Sequence, residues 1–194
     1  MLERIDSIDG PGKVLIINNA GFGNYGAFAA RPMELHLGMI GLNVLAPVEL
    51  VARLMPCLLE RGGAVINVAS IAAHQPIPTL AVYAASKAFL LHWSLALGDE
   101  LRPVGVSVLA VCPGPTRTGF SKRAGFDRRA DSELFDQSAD QVVQETWRAL
   151  NRGKTMVVTG FFNKMIAAIA MRLPKTWSSR LAGQSVSRSR PAPP

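Results

Sequence analysis

The stretch Val65–Lys87, VINVASIAAHQPIPTLAVYAASK, joins a buried strand, a serine and a helix bearing a tyrosine and a lysine. Ala64–Ala69 reads as the strand, ending on Ser70, and a loop with Pro76 and Pro78 follows. The helix after it carries Tyr83 and Lys87, four residues apart and therefore on one face. An ammonium near a phenol favours the phenolate, lowering a reference pKa of about 10 toward working pH. Such a pair can give or take the proton of an alcohol or carbonyl, and the Ser70 hydroxyl at the strand end can hold the reacting oxygen. Tyr-x-x-x-Lys alone is a weak signal. A strand-end serine thirteen residues before the tyrosine makes it much stronger.

A strand that reads as one unbroken apolar run needs cover on both faces, and the chain repeats that pattern. Lys13–Asn18 (KVLIIN), Val106–Val111 (VSVLAV) and Thr155–Thr159 (TMVVT) are the other strands. Pro32–Glu60 is a long helix with Leu35, Met39, Leu42, Ala46, Leu50, Leu54 and Leu58 at helical spacing, kinked by Pro47 and ended by Arg61-Gly62-Gly63. The helix of Tyr83 runs to about Leu101, and Ser138 caps another over Ala139–Asn151. Met1–Ile8 reads as the end of an amphipathic helix, broken by Gly10-Pro11-Gly12. Strands alternating with helices over 194 residues describe one α/β domain with a parallel sheet.

The net charge of +7 sits at one end. Residues 160–194 hold six Lys or Arg and no acid, so the first 159 come to +1. A nucleic-acid surface needs a basic stripe on the folded part, and none is visible. The basic end pairs Phe161, Phe162, Met165, Ile166, Ile169 and Met171 with those charges. It is expected either on a membrane surface or partner groove, or as a helix packed on the domain's own sheet. Residues 185–194, rich in Ser, Arg and Pro, are expected to be disordered. Cys57 and Cys112 are too few for a disulfide framework and read as buried thiols of a reducing, cytoplasmic compartment. The N-terminus has no signal-type apolar core, and no run of apolar residues reaches the roughly 20 that a membrane span needs. His36, His74 and His92 lack metal-ligand spacing; His74 is the one that could border the Ser70 pocket.

Asn18-Asn19-Ala20-Gly21 follows the first strand, and Pro113-Gly114-Pro115-Thr116-Arg117-Thr118 follows the third. Gly21-Phe22-Gly23-Asn24-Tyr25-Gly26 fits a G-x-G-x-x-G pattern, but it is followed by loop where a phosphate site needs a helix to begin. Phe22 and Tyr25 instead read as the lining of a substrate entrance or as loop packing. Together, the Ser70/Tyr83/Lys87 set, Asn-Asn-Ala-Gly and Pro-Gly-x-x-x-Thr resemble the short-chain dehydrogenase/reductase family over residues 1 to about 160.

The resemblance implies a doubly wound parallel sheet of Rossmann type and a hydride transfer between NAD or NADP and a carbonyl or secondary alcohol. It makes Tyr83 the acid/base and gives Lys87 the nicotinamide ribose. Ser70 then holds the substrate oxygen, and Asn43 orders a water behind the lysine. Asn18, Ala20, Gly21, Pro113, Gly114 and either Thr116 or Thr118 would meet the cofactor, and 121–137 would be a mobile flap over the substrate. Ile71, Ala72, Phe22 and Pro115 imply a small apolar carbonyl or alcohol, with no nucleic acid as partner. The family's glycine turn, Thr-Gly-x-x-x-Gly-x-Gly, does not occur in this sequence. The chain therefore reads as the later part of the fold, residues 1–160, with a basic apolar segment at 161–184. Its first strand would present an open edge and favour a homo-oligomer. Two alternatives stand beside this reading: a sugar-nucleotide epimerase or dehydratase, and a non-catalytic remnant or interaction module of the same fold.

Overall fold

A computed structural model describes residues 12–125 and 136–188. The expected helix at Met1–Ile8, residues 126–135 of the expected flap and the last six residues lie outside it. Four strands, β1 (Val14–Asn18), β2 (Gly63–Val68), β3 (Val106–Cys112) and β4 (Met156–Val158), form one parallel sheet in the order β1-β2-β3-β4. Each lies within a residue of its expected place, because aliphatic runs bounded by glycine, proline and polar turns leave little choice of register. Asn18 stands opposite Asn67 and Cys112 opposite Val158, so the carboxyl ends of all four strands come to one rim.

The first crossover is α1 (Met33–Ile40), a π turn over Gly41–Leu45, and α2 (Ala46–Arg61). Pro47 predicts an irregularity here, and the π turn is the form it takes. The Ala46 N–H bonds the Gly41 carbonyl five residues back, and Pro47 has no N–H to give to the Asn43 carbonyl. From Met33 to Arg61 the helix is 29 residues long, and by length and composition it is apolar enough to cross a membrane. That differs from the expectation that no segment suffices, because the polar residues are too thinly spread to lower the mean hydropathy. Its Val51, Leu54 and Leu58 are nonetheless buried against Val14, Ile16 and Val65 of the sheet, in the manner of a core helix.

α3 (Ala81–Leu101) covers the same face through Leu97 and Leu101. α5 (Ala139–Asn151) covers the other, packing Ala149 on Ile66, Leu109, Val111 and Val157. Its capping box, Ser138 with Gln141, satisfies the backbone N–H groups of both residues and contributes about 1 kcal/mol. Helices on both faces of a parallel sheet make the doubly wound fold. β1 departs from the expectation of cover on both faces: Leu15 and Ile17 are 45% and 51% exposed. They lie on the α5 side of an edge strand that α5 does not reach, and β1 pairs with β2 alone among the described residues.

The chain then forms α4 (Phe120–Arg123), α6 (Phe161–Arg172) and α7 (Lys175–Arg188). α7 extends through residues 185–188, where disorder was expected. Ser178 and Ala182, one turn apart, are buried, so a docked turn carries the helix beyond what its polar composition suggests.

Candidate active site

Ser70 stands just past β2 and caps a short 3-10 turn, Ile71–His74, its Oγ accepting the Ala72 N–H at 3.1 Å. The Pro113 carbonyl, one residue past β3, accepts the Ile71 N–H at 2.9 Å, so two strand ends fix the serine's position. Tyr83, in the first turn of α3, is 9% exposed. Burial raises its pKa above the usual value, and a hydrogen bond with the Ser70 side chain offsets part of that. Serine and tyrosine hydroxyls therefore share one place, as their spacing implied.

Lys87 lies one turn further along α3 and is buried. Its Nζ donates to the Val68 carbonyl at 2.7 Å and stands 6.0 Å from the centroid of the Tyr83 ring. Desolvation pushes it down to about 8, with the nearby Cys112 opposing. The expected lowering of the phenol by this ammonium is thus not what the geometry produces: burial dominates at Tyr83, and Lys87 spends its hydrogen bond on the end of β2. At neutral pH the site holds a protonated phenol beside a cation.

Asn43, in the π turn, is 1% exposed and fully engaged. Its Oδ1 accepts the Phe22 N–H at 3.1 Å, while its Nδ2 donates to the Phe22 carbonyl and to Ser86 Oγ, each at 3.0 Å. It clamps the segment after β1 onto α3. Gly21 lies directly above: a Cβ there would stand 2.9 Å from Asn43 Oδ1 and 3.4 Å from Lys87 Nζ. Only a residue without a side chain leaves the lysine's surface open to a flat ligand. Ala20 is exposed and Asn18 is buried. Asn18 ties the strands side chain to side chain: its Nδ2 donates to Asn67 Oδ1 at 2.7 Å, and Asn67 Nδ2 to Ser94 Oγ at 2.8 Å.

At the end of β3, Gly114 is overlain by Asn163 of α6, whose side chain lies 2.1 Å from where a Cβ would be. Thr116 Oγ1 donates to the Gly114 carbonyl at 3.0 Å, and Thr118 Oγ1 accepts the Phe120 N–H at 3.3 Å, so both candidate threonines are turned onto their own loop. Behind that loop is a polar chain that sequence reading missed. The Gln137 N–H donates to the Pro115 carbonyl at 3.1 Å, and Gln137 Nε2 to Glu145 at 2.9 Å. Glu145 also accepts the Gly160 N–H and the Lys164 ammonium, and the hydrogen bonds hold its carboxyl below the usual value against the effect of burial.

An apolar wall closes the site. Phe120 packs on the Tyr83 ring at 5.5 Å between centroids, and Met39, Phe22, Tyr25 and Ala182 of α7 belong to the same cluster. Phe22 and Tyr25 were expected at a substrate entrance or in loop packing; Phe120 and Ala182 were not expected here. Phe120, two residues past Thr118, could have been found from its place in the loop, whereas Ala182 carries no sequence signal. His74 is buried beyond Ser70, and its carbonyl accepts Lys175 Nζ of α7 at 2.7 Å. Cys112 is buried, its thiol pushed up to about 12, but Cys57 is only half-buried. A cavity of about 470 Å³ lies away from Tyr83, between α5 and the start of α6. Among the described residues no three His, Cys, Asp or Glu groups stand together as a metal site.

The short chain dehydrogenase family model matches residues 2–129, well over half of the sequence. The chain belongs to the short-chain dehydrogenase family. It is 39% identical over 123 residues to ketoacyl reductase HetN of Nostoc sp., covering 62% of this chain and 42% of that protein. To serine 3-dehydrogenase of Rhizobium radiobacter it is 36% identical over 123 residues, covering 62% and 49%. The chain thus spans less than half the length of these two relatives. Among solved structures, it resembles a short-chain dehydrogenase from Sphingobium yanoikuyae in complex with NADPH, with a TM-score of 0.74 at 27% identity over 99% of this chain and 70% of that one. A short-chain dehydrogenase from Burkholderia cenocepacia in complex with NADP gives 0.72 at 27% identity, covering 84% and 68%. The doubly wound reading of this family member therefore stands on its own sheet and on solved relatives alike.

Proposed function

We propose that this family member is an oxidoreductase that interconverts a carbonyl and a secondary alcohol, using NAD or NADP. The observation that carries the reading is the shared position of the Ser70 and Tyr83 hydroxyls at the carboxyl end of β2, with Lys87 one turn behind. Open α/β sheets take their ligands at this rim. Tyr83, kept protonated by burial, donates to the substrate oxygen in the reducing direction, and Ser70 holds that oxygen in place. Lys87 and Gly21 form the floor on which a nicotinamide ribose would lie, with Asn18, Ala20, Pro113, Gly114 and Thr116 at its edges; Asn43 keeps that floor in place. A bound nicotinamide supplies or accepts the hydride. Every other role falls to groups already in position.

The wall of Phe22, Met39 and Phe120 favours an apolar substrate. NADPH in one solved relative and NADP in another support the choice of cofactor class. Leu37, Ile40, Leu45 and Phe89 are exposed on α1, the π turn and α3, which suits self-association of the chain. The test follows the absorbance of reduced nicotinamide with a panel of ketones graded in size and polarity. Turnover should rise with apolar size and stay low for charged ketones. Turnover of none of them, or the same low rate with all, would contradict the assignment.

A further inference from the structure

The C-terminal helices turn the usual pattern of a surface helix inside out. On α6 the residues facing the domain are Asn163, Ala167 and Ala170, all buried. Ala167 packs among Ala73, Leu91 and Cys112, so a small-residue face holds the helix down. The large side chains point away. Phe161, Phe162, Met165, Ile166 and Ile169 stand at i, i+1, i+4, i+5 and i+8, which is one continuous side of a helix, and they are 45–72% exposed. Trp177 and Leu181, one turn apart on α7, are 62% and 56% exposed. A helix that needed only to cover the sheet would have its phenylalanines and isoleucines underneath. Packing on the domain and an outward apolar face, offered by the sequence as alternatives, here occur on opposite sides of the same helix.

The charge carried by α6 and α7 themselves has one sign. From residue 160 to the end there are six Lys or Arg and no acid, whereas the preceding 159 residues are nearly neutral. The nearest acids, Asp136 and Glu145, lie beside Phe161 and Phe162 at the start of α6, where Glu145 pairs with Lys164; further along, the exposed bases include Arg172 and Arg180. An apolar strip with a tryptophan and these bases matches the boundary of a bilayer whose headgroups are negative: the strip enters the acyl edge and the bases stay among the phosphates. A protein groove would be served by the apolar strip alone; the one-signed charge singles out the lipid. We propose that α6 and α7 dock this chain on the surface of an anionic membrane, with the Phe161–Ile169 face buried and Arg172 and Arg180 at the headgroups. The helices lie on the surface and do not cross it, since α6 has 12 residues against the roughly 20 that a span requires.

The test is flotation of the 194-residue chain with phosphatidylcholine vesicles, with and without phosphatidylglycerol, at low and high salt. The chain should float with the anionic vesicles and lose that binding in high salt. The paired changes Phe161→Gln with Ile169→Gln should weaken it at least tenfold, and Arg172→Gln with Arg180→Gln should remove most of its dependence on lipid charge. All four positions are exposed, so far-ultraviolet circular dichroism should not change. Emission should shift to the blue on adding anionic vesicles, and the Trp177→Phe variant should lose most of that shift. Absence of flotation, or binding indifferent to lipid charge and to these substitutions, would overturn the proposal. So would a dimer in sedimentation that the Phe161→Gln and Ile169→Gln changes dissolve while vesicle binding persists.

Discussion

Lys87 is where spacing and environment pull apart. Its place four residues after Tyr83 put it on the correct face, but spacing says nothing of burial, and burial decides the charge. Between pH 8 and 10.5, a lysine pushed from 10.5 to about 8 has released a proton in the folded chain that the unfolded chain still holds. Stability therefore rises with pH from about 8 toward 10.5, and below 8 the penalty of the buried cation is fully present. Cys112, pushed up from 9.0 to about 12, acts oppositely: the unfolded thiol ionises first, so stability is lost above 9. Tyr83, raised above 10.0, does the same at higher pH. The window belonging to Lys87 alone is pH 8 to 9. Over it the unfolding free energy from urea titration should climb by up to about 1 kcal/mol, and Lys87→Met should flatten the climb. An equal climb in the variant would assign it to another group.

At the scale of elements, the strands and the helices that cover them were legible because aliphatic periodicity and caps are local signals. Ser138 and the run after it placed α5 to the residue. Contacts between distant segments were not legible. Gly114 could be read as part of a Pro-Gly turn, but nothing near it in sequence announces Asn163, 49 residues on, lying across it. The same is true of Glu145 gathering Gln137, Gly160 and Lys164 behind that turn. The end of β3 is therefore held by α6, and the contact leaves no room for a methyl group. Gly114→Ala would place its Cβ 2.1 Å from Asn163, which is 2% exposed and donates to the Thr159 carbonyl. The change should cost about 1–3 kcal/mol. Combined with Asn163→Ala, the loss should be smaller than the sum of the two single losses, since one overlap is removed. Strict additivity in thermal or urea unfolding would show that the two residues do not meet.

For the whole molecule, the sheet brings Ser70, Tyr83, Lys87 and Gly21 to one rim, whereas the sequence contains no Thr-Gly-x-x-x-Gly-x-Gly turn for a pyrophosphate. The G-x-G-x-x-G match at Gly21–Gly26 is loop, and the next α-helix begins only at Met33, so the pattern lacks the helix N-terminus that would meet a phosphate. Each absent charge-assisted hydrogen bond forgoes roughly 1.5–3 kcal/mol. In calorimetric titration of the 194-residue chain, dinucleotide should bind hardly better than nicotinamide mononucleotide, and both weakly. Micromolar binding of the dinucleotide alone would show a phosphate site elsewhere. What joins the three scales is the claim that the Tyr83 phenol, buried against Ser70, passes the proton. The direct measurement is single-turnover reduction of an apolar ketone with reduced cofactor in excess, comparing the parent with Tyr83→Phe. The account predicts a rate at least about a hundredfold lower with cofactor affinity and circular dichroism unchanged; a rate within tenfold of the parent would contradict it.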